Sequence, residues 1–254
     1  MCSGPEGGHL GGSMSLADVL AVLYFAVMRN DPADPTSDER DILLLSKGHA
    51  APALYACLAE RGFFPIEELT RFGHPGSRLM AHPVRAVPGV EMPTGSLGHG
   101  LSLGIGFALA ARHDGRPRRV FCVLGDGELQ EGSVWEAAMA AGSLGLDNLV
   151  AIVDRNGQQI TGRTENTIRL EPLAARWSAF GWEVIAVDGH DVAALAGALG
   201  STPATRGRPT VLLARTVKGR GIDFIEGKTR SHFARLGVDQ QARAMAALAR
   251  AARR

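Results

Sequence analysis

The chain has little cysteine: only Cys2, Cys57 and Cys122 in 254 residues. Three thiols, odd in number and not paired by spacing, exclude a disulfide framework. Cys57 and Cys122 sit in apolar contexts and read as reduced core residues, which makes the cytoplasm the expected compartment. Excess charge of either sign is also lacking. With 27 basic and 26 acidic residues there is no field to draw nucleic acid or an anionic membrane. Arg250, Arg253 and Arg254 cluster at the C-terminus and read as cations complementing the negative end of a terminal helix rather than as a nucleic-acid patch. No apolar run approaches ~18 residues, so no membrane span is expected. The first residues, MCSGPEGGHLGG, lack the basic segment and apolar core of a signal peptide. Internal repeats and low-complexity tracts are absent.

What is present is an alternation of short apolar runs and helical patterns. Ser15–Met28 carries Leu16, Val19, Leu20, Leu23 and Val27 on one helical face, with Ser15 as the expected N-cap. A loop follows at residues 31–37. Helices are expected at Ala50–Arg61, at Pro65–Phe72 with proline in its first turn, and at Leu101–Arg112. Strands are expected at Val120–Leu124, Leu149–Val153, Glu183–Val187 and Thr210–Ala214. Helices fall between and after them, at Gly132–Leu144, Leu170–Phe180, Val192–Leu199 and, as a C-terminal tail, Ala234–Arg254. Alternating β and α with short turns predicts an α/β fold: one domain over residues 1–254, built on a doubly wound, mainly parallel sheet flanked by helices.

The run VFCVL ends in Gly125-Asp126-Gly127, and LVAIV ends in Asp154-Arg155-Asn156-Gly157. Two neighbouring parallel strands then present a carboxylate and a carboxamide at their carboxyl ends, the edge at which open α/β sheets bind ligands. Asp126 and Asn156 offer the hard oxygens that Mg2+ takes, few in number, beside phosphate oxygens and water. Gly127 lets backbone approach a phosphate. The expectation is a Mg2+–diphosphate site. Taken singly, Asp126 also reads as a helix-capping turn residue and Asn156 as a left-handed turn residue.

The stretch GDGELQEGSVWEAAMAAGSLGLDNLVAIVDRNG resembles the thiamine diphosphate motif, which opens with GDG and closes with Asn. Four further segments are similar to the transketolase branch of that superfamily. They are GGHLGGSMSLADVLAVLY, RDILLLSKGHAAPALYA, HPVRAVPGVEMPTGSLGHGLSLGIGFALA and ARTVKGRGIDFIEGKTRSH. The five blocks follow the family's order over roughly residues 8 to 237. The resemblance implies the thiamine-diphosphate-binding fold, with Mg2+ held by Asp126, Asn156 and the carbonyl of Gln158. It implies cofactor contacts from His49, Gly95, Ser96, Leu97, Gly125, Asp126, Gly127, Glu128, Asn156, Ile160 and His232, with Leu97 and Ile160 as apolar walls. His49 and His232 are expected at the diphosphate and the reacting sugar, and His9 and His82 at the donor's oxygens. Imidazole suits proton movement on and off sugar hydroxyls. Where the family often continues Trp-His-Gly, this chain has Ser231-His232-Phe233. His74, His99, His113 and His190 receive no catalytic role.

A complete transketolase also carries a pyrimidine-binding domain, with its catalytic Glu, and a C-terminal domain. The resemblance here reaches only the first domain. It implies the N-terminal subunit of a split transketolase that moves a two-carbon ketol unit between sugars beside a second polypeptide, as two copies of each chain. Glu131 is placed at the subunit contact by the same resemblance and reads otherwise as a first-turn helix residue. Two alternatives stand: the α-type subunit of a 2-oxo acid dehydrogenase, and a non-catalytic cofactor- or partner-binding remnant.

Overall fold

The computed structural model describes residues 1–4 and 6–251. Arg253 and Arg254, expected to complement a terminal helix, lie outside these residues. In chain order the elements are α1 (Leu10–Val22, continued by one wider turn, Leu23–Val27), β1 (Ile42–Leu45), α2 (Ala51–Arg61), α3 (Gly100–His113), β2 (Val120–Gly125), α4 (Gly132–Ser143) and β3 (Leu149–Arg155). There follow the two-residue strands β4 (Gln158–Gln159) and β5 (Gly162–Arg163), then α5 (Thr164–Thr167), α6 (Leu173–Ala179), β6 (Glu183–Asp188), α7 (Val192–Gly200), β7 (Thr210–Arg215) and α8 (Val238–Ala251).

Five strands form one wholly parallel sheet in the order β1-β2-β3-β7-β6. Strands covered on both faces by helices have no water side, so they read as unbroken apolar runs. β2 is buried at every residue. Alternate side chains serve two cores. Leu43, Leu45, Phe121, Val123, Val150 and Ile152 pack with α1, α2 and α7. Ile42, Leu44, Val120, Cys122, Leu149 and Ala151 pack with α3, α4, Trp177 and Trp182. Each fully buried Leu or Phe contributes about 1.5–3 kcal/mol. The two layers close tightly enough that a Cβ on Gly142 in α4 would lie 1.7 Å from the Phe180 carbonyl oxygen, so only glycine fits there.

Several expectations are corrected. Ser15 is not an N-cap: α1 starts at Leu10, and the Ser15 hydroxyl is turned inward to donate to Asp154 Oδ2 at 2.6 Å. α1 and its continuation form an 18-residue helical segment, Leu10–Val27, of mean hydropathy 1.7, long and apolar enough by composition to cross a membrane. It contributes Leu16, Val19, Leu20 and Leu23 to the protein core, which accounts for its hydropathy. The run Ile42–Leu45, not assigned from the sequence, is the edge strand β1. The stretch expected as a helix over 65–72 is a 3₁₀ segment, Ile66–Arg71, rather than an α-helix. The stretch expected as one helix over 170–180 starts only at Leu173, after Pro172. Ala234 is not helical: it pairs with Gly8 in an antiparallel bridge, and α8 starts at Val238.

Candidate active site

Every loop leaving the carboxyl edge of the sheet at β1, β2, β3 and β7 contributes to one cavity of about 410 Å³. β1 leads into Ser46-Lys47-Gly48-His49, β2 into Asp126-Gly127-Glu128, β3 into Asn156 to Ile160, and β7 into Thr216-Val217-Lys218. The N-terminal loop is stitched to the last of these. Gly219 N–H donates to the Gly11 carbonyl (2.9 Å), and Gly8 and Ala234 exchange two backbone hydrogen bonds (2.9 and 2.8 Å). The bridge brings His9 beside His232.

Four imidazoles meet there. Ring centroids lie 5.4 Å apart for His9–His49, 5.8 Å for His9–His82, 5.3 Å for His9–His232 and 5.1 Å for His49–His232. Burial, then His82 and Lys218, lowers His9 to about 4. Burial, then Lys218, His9 and Lys47, lowers His232 to about 4. His49 is pushed well below the ordinary imidazole range by burial, with Lys47 the first of its cationic neighbours. At neutral pH these three rings are uncharged and can both accept and donate. Lys218, brought down to about 8 by burial and then by Lys47, donates from Nζ to His232 Nδ1 at 3.1 Å, leaving the His232 proton on Nε2.

These shifts set a pH dependence. Between the unfolded imidazole value near 6.5 and about 4, the unfolded chain binds protons that the folded chain refuses, so stability falls as pH falls through that window. Asp126 and Glu128, raised chiefly by burial, act in the opposite sense. The Tm of the unliganded chain is expected to drop from pH 7 to pH 4.5, and more steeply than that of a His49→Ala variant. Equal slopes in a calorimetric pH series would contradict this assignment.

The oxygen donors line the same cavity. Asp126 is 1% exposed. Its Oδ1 accepts from Gly127 N–H (2.8 Å), and its Oδ2 accepts from Gly157 N–H and from Arg155 Nη1 (3.0 Å). Asn156 Oδ1 accepts from Gln158 N–H at 3.0 Å. Among the described residues, three lining side chains have buried polar atoms without a protein partner: His9 Nδ1, Gln158 Oε1 and Gln159 Oε1. Asp126, Asn156 and Gln158 share this lining with Lys47, Lys218 and the orphaned polar atoms, a mix of oxygen-bearing and cationic residues that fits a divalent cation together with an anionic ligand.

All four expected histidines and the expected Gly95, Leu97, Gly125, Asp126, Gly127, Glu128, Asn156, Gln158 and Ile160 line this cavity. Ser96 instead lines a shallower neighbouring groove with His99. The Glu128 carboxylate accepts from Ser46 Oγ, Gly98 N–H (2.9 Å) and Gly125 N–H (3.0 Å), so it holds two lining loops together. Ile160 is 68% exposed at the turn between β4 and β5.

Residues given no role from the sequence also line the cavity: Gly12, Lys47, Gln130, Gln159 and Lys218. The available signal was each lysine beside a glycine just after a strand, a pattern that puts a cation at a sheet edge. Lys47 is fully buried. Its Nζ pairs with Asp154 Oδ2, and Asp154 also accepts from Ser15 Oγ and Thr216 Oγ1. Burial opposes the charge of Asp154, but Lys47 and the two hydroxyls outweigh it and hold the carboxyl below its usual range. His190, given no catalytic role, is a cross-brace. Its Nδ1 bonds Asp18 Oδ2 (2.7 Å) and its Nε2 accepts from Val217 N–H (2.9 Å).

Comparison with known proteins identifies the family. Residues 3–251 match the family described as transketolase, thiamine diphosphate binding domain. The chain is 46% identical over 242 residues to a 6-deoxy-6-sulfo-D-fructose transketolase subunit from Clostridium sp. (strain MSTE9), covering 95% of this chain and 88% of that protein. It is 45% identical over 229 residues to an apulose-4-phosphate transketolase subunit from Actinobacillus succinogenes, covering 90% of this chain and 83% of that one. Transketolase from Campylobacter jejuni superposes with a TM-score of 0.89 at 34% identity, over 95% of this chain and 39% of that one. The chain thus spans about two-fifths of the solved transketolase. With a family match, relatives and a superposable fold along nearly its whole length, the protein belongs to the transketolase family and carries that family's thiamine diphosphate binding domain.

Proposed function

We propose that the chain is the diphosphate-binding subunit of a split transketolase, a single domain over residues 1–254, acting with Mg2+ on ketose and aldose substrates in the cytoplasm. The observation that carries the reading is the convergence of His9, His49, His82 and His232 with Asp126 and Asn156 on one cavity at the carboxyl edge of the sheet. Thiamine diphosphate, when bound, supplies the carbon nucleophile and the electron sink for cleaving a carbon–carbon bond. Asp126, Asn156 and the Gln158 carbonyl would hold the metal, and Lys218, His49 and His232 would bind the diphosphate. His9 and His82 exchange protons with the donor's hydroxyl and carbonyl oxygens, and as a neutral ring His9 can take a proton as readily as give one.

A decarboxylating 2-oxo acid dehydrogenase subunit has less need of four clustered imidazoles. The full set of motif residues argues equally against a non-catalytic remnant. Two similar proteins are named as transketolase subunits, which supports a partner chain here, one carrying the pyrimidine-binding domain and its catalytic Glu in a tetramer of two copies of each. Leu109 on α3, Met139 on α4 and Leu144 just after α4 are exposed, apolar surface suited to such a contact. Glu131, exposed in the turn before α4, belongs to the same side of the proposal.

The test is reconstitution. The purified chain alone is expected to show no ketol transfer, and the chain mixed with a separately purified pyrimidine-domain polypeptide is expected to gain it. Transfer by the chain with no second polypeptide would refute the split reading.

A further inference from the structure

Behind Asp126, outside the lining of the cavity, Arg155 makes four side-chain contacts. Its Nη1 donates to Asp126 Oδ2 and to Thr164 Oγ1, and its Nη2 donates to Glu165 Oε1 and Glu171 Oε1, each at 3.0 Å. The guanidinium side chain is 17% exposed. The residues it joins are the end of β2 and the segment 156–171, which leaves the sheet at Asn156, turns through β4 and β5, and returns by α5. That segment bears Asn156, Gln158 and Ile160. Apart from Arg155 it is tied down by Gly157 N–H, which donates to Asp126 Oδ2, by Gln130 Nε2, which donates to the Thr164 and Ile168 carbonyls at 3.4 and 3.1 Å, and at Gln158, whose Nε2 donates to the Gly227 carbonyl at 2.8 Å.

We infer that Arg155 is a positioning residue for the proposed metal site, fixing the Asp126 carboxylate and clamping the segment that carries the other two oxygen donors. The inference rests on the Mg2+ reading above. A planar fork can serve four acceptors at once, as an ammonium cannot. By occupying Oδ2 together with Gly157 N–H, it leaves the free lone pair of Oδ1 for a cation. Glu165 and Glu171 offset its charge, so it orients Asp126 without repelling a metal. Outer partners of metal ligands act in this way, and their removal costs roughly 10–100-fold in metal affinity.

The experiment compares the unaltered full chain with R155M, R155K and E171Q. Mn2+ affinity is measured by electron paramagnetic resonance with pyrophosphate present, and tryptic cleavage is timed at the exposed Arg163 and Arg169, with Tm recorded for each variant. R155M is expected to lose Mn2+ affinity by roughly 10–100-fold and to be cut faster. R155K, keeping the charge but not the fork, should fall between. E171Q should be cut faster while keeping its Mn2+ affinity; this arm and R155K remain decisive if R155M fails to fold. Equal Mn2+ affinity in R155K, R155M and the unaltered chain overturns the inference. So does tighter binding by R155M, which would mark the guanidinium as a competing cation. A loss in E171Q as large as in R155M also overturns it. Failure of the unaltered chain to bind Mn2+ at all would instead remove the metal site itself.

Discussion

Asp126→Ala is expected to remove most of the metal-dependent affinity for thiamine diphosphate in the assembled enzyme, by more than the roughly 10–100-fold that loss of an outer partner costs. Asp126 is the one carboxylate among the three proposed metal ligands, so its loss removes both an oxygen donor and the negative charge that balances the cation. It also leaves Gly127 N–H and Gly157 N–H without their acceptor and removes one of the two acceptors of Arg155 Nη1, a structural cost of about 1–3 kcal/mol. Asp126→Asn separates the two effects. It keeps an oxygen and the shape but loses the charge, and so should weaken metal-dependent binding with a smaller drop in Tm. Calorimetric titration with thiamine diphosphate, with and without Mg2+, reads the difference. Unchanged metal-dependent affinity in Asp126→Ala would sink the assignment.

His82→Ala is expected to slow ketol transfer by roughly 10²–10⁴-fold, the range for a positioned acid–base group, with little change in Tm. The fold uses the His82 backbone rather than its ring: the Tyr55 hydroxyl donates to the His82 carbonyl at 3.0 Å, and that bond survives truncation. The ring lies against Gly95, where a Cβ would come within 3.1 Å of His82 Cδ2. His190→Ala is the contrasting variant. Its ring braces Asp18 and Val217, so truncation strands a backbone N–H at about 1–3 kcal/mol and lowers Tm by several degrees. Paired turnover and melting measurements decide the matter. If His190→Ala damaged turnover as much as His82→Ala at equal stability, the division between acid–base and structural histidines would be wrong.

Much of this protein was legible along the chain. VFCVL and LVAIV are strands because a strand covered on both faces needs apolar side chains at every position. Gly125-Asp126-Gly127 and Asn156 fall at their carboxyl ends because the runs stop there. The same local logic predicted α4 and α7 nearly to their ends, and ordered motif blocks named the histidines. It failed at Ser15, where a favourable N-cap residue is used inside a helix to reach a carboxylate 139 residues away. It also passed over Ile42–Leu45, four residues long and too short to show a period.

What only the tertiary structure decided is how distant segments share charge. Lys47, Lys218 and Arg155 each stand within a motif or beside one, yet nothing local tells a solvated cation from a buried one. Sheet order sets Lys47 over Asp154 and Arg155 against Asp126, and the fold of the segment after β7 sets Lys218 against His232. Burial then turns those neighbours into fixed ion pairs and hydrogen bonds, because a charge removed from water must find a partner within the fold. The sequence by itself determined the central strands β2, β3, β6 and β7 and the glycine turns, set by nearest-neighbour backbone preference and apolar periodicity, while the candidate site residues came from the resemblance of its motif blocks to the transketolases. The protonation of the imidazoles and the posture of the Asp126 carboxylate were decided by contacts across the sheet edge, since electrostatic energy depends on distance in space and not along the chain.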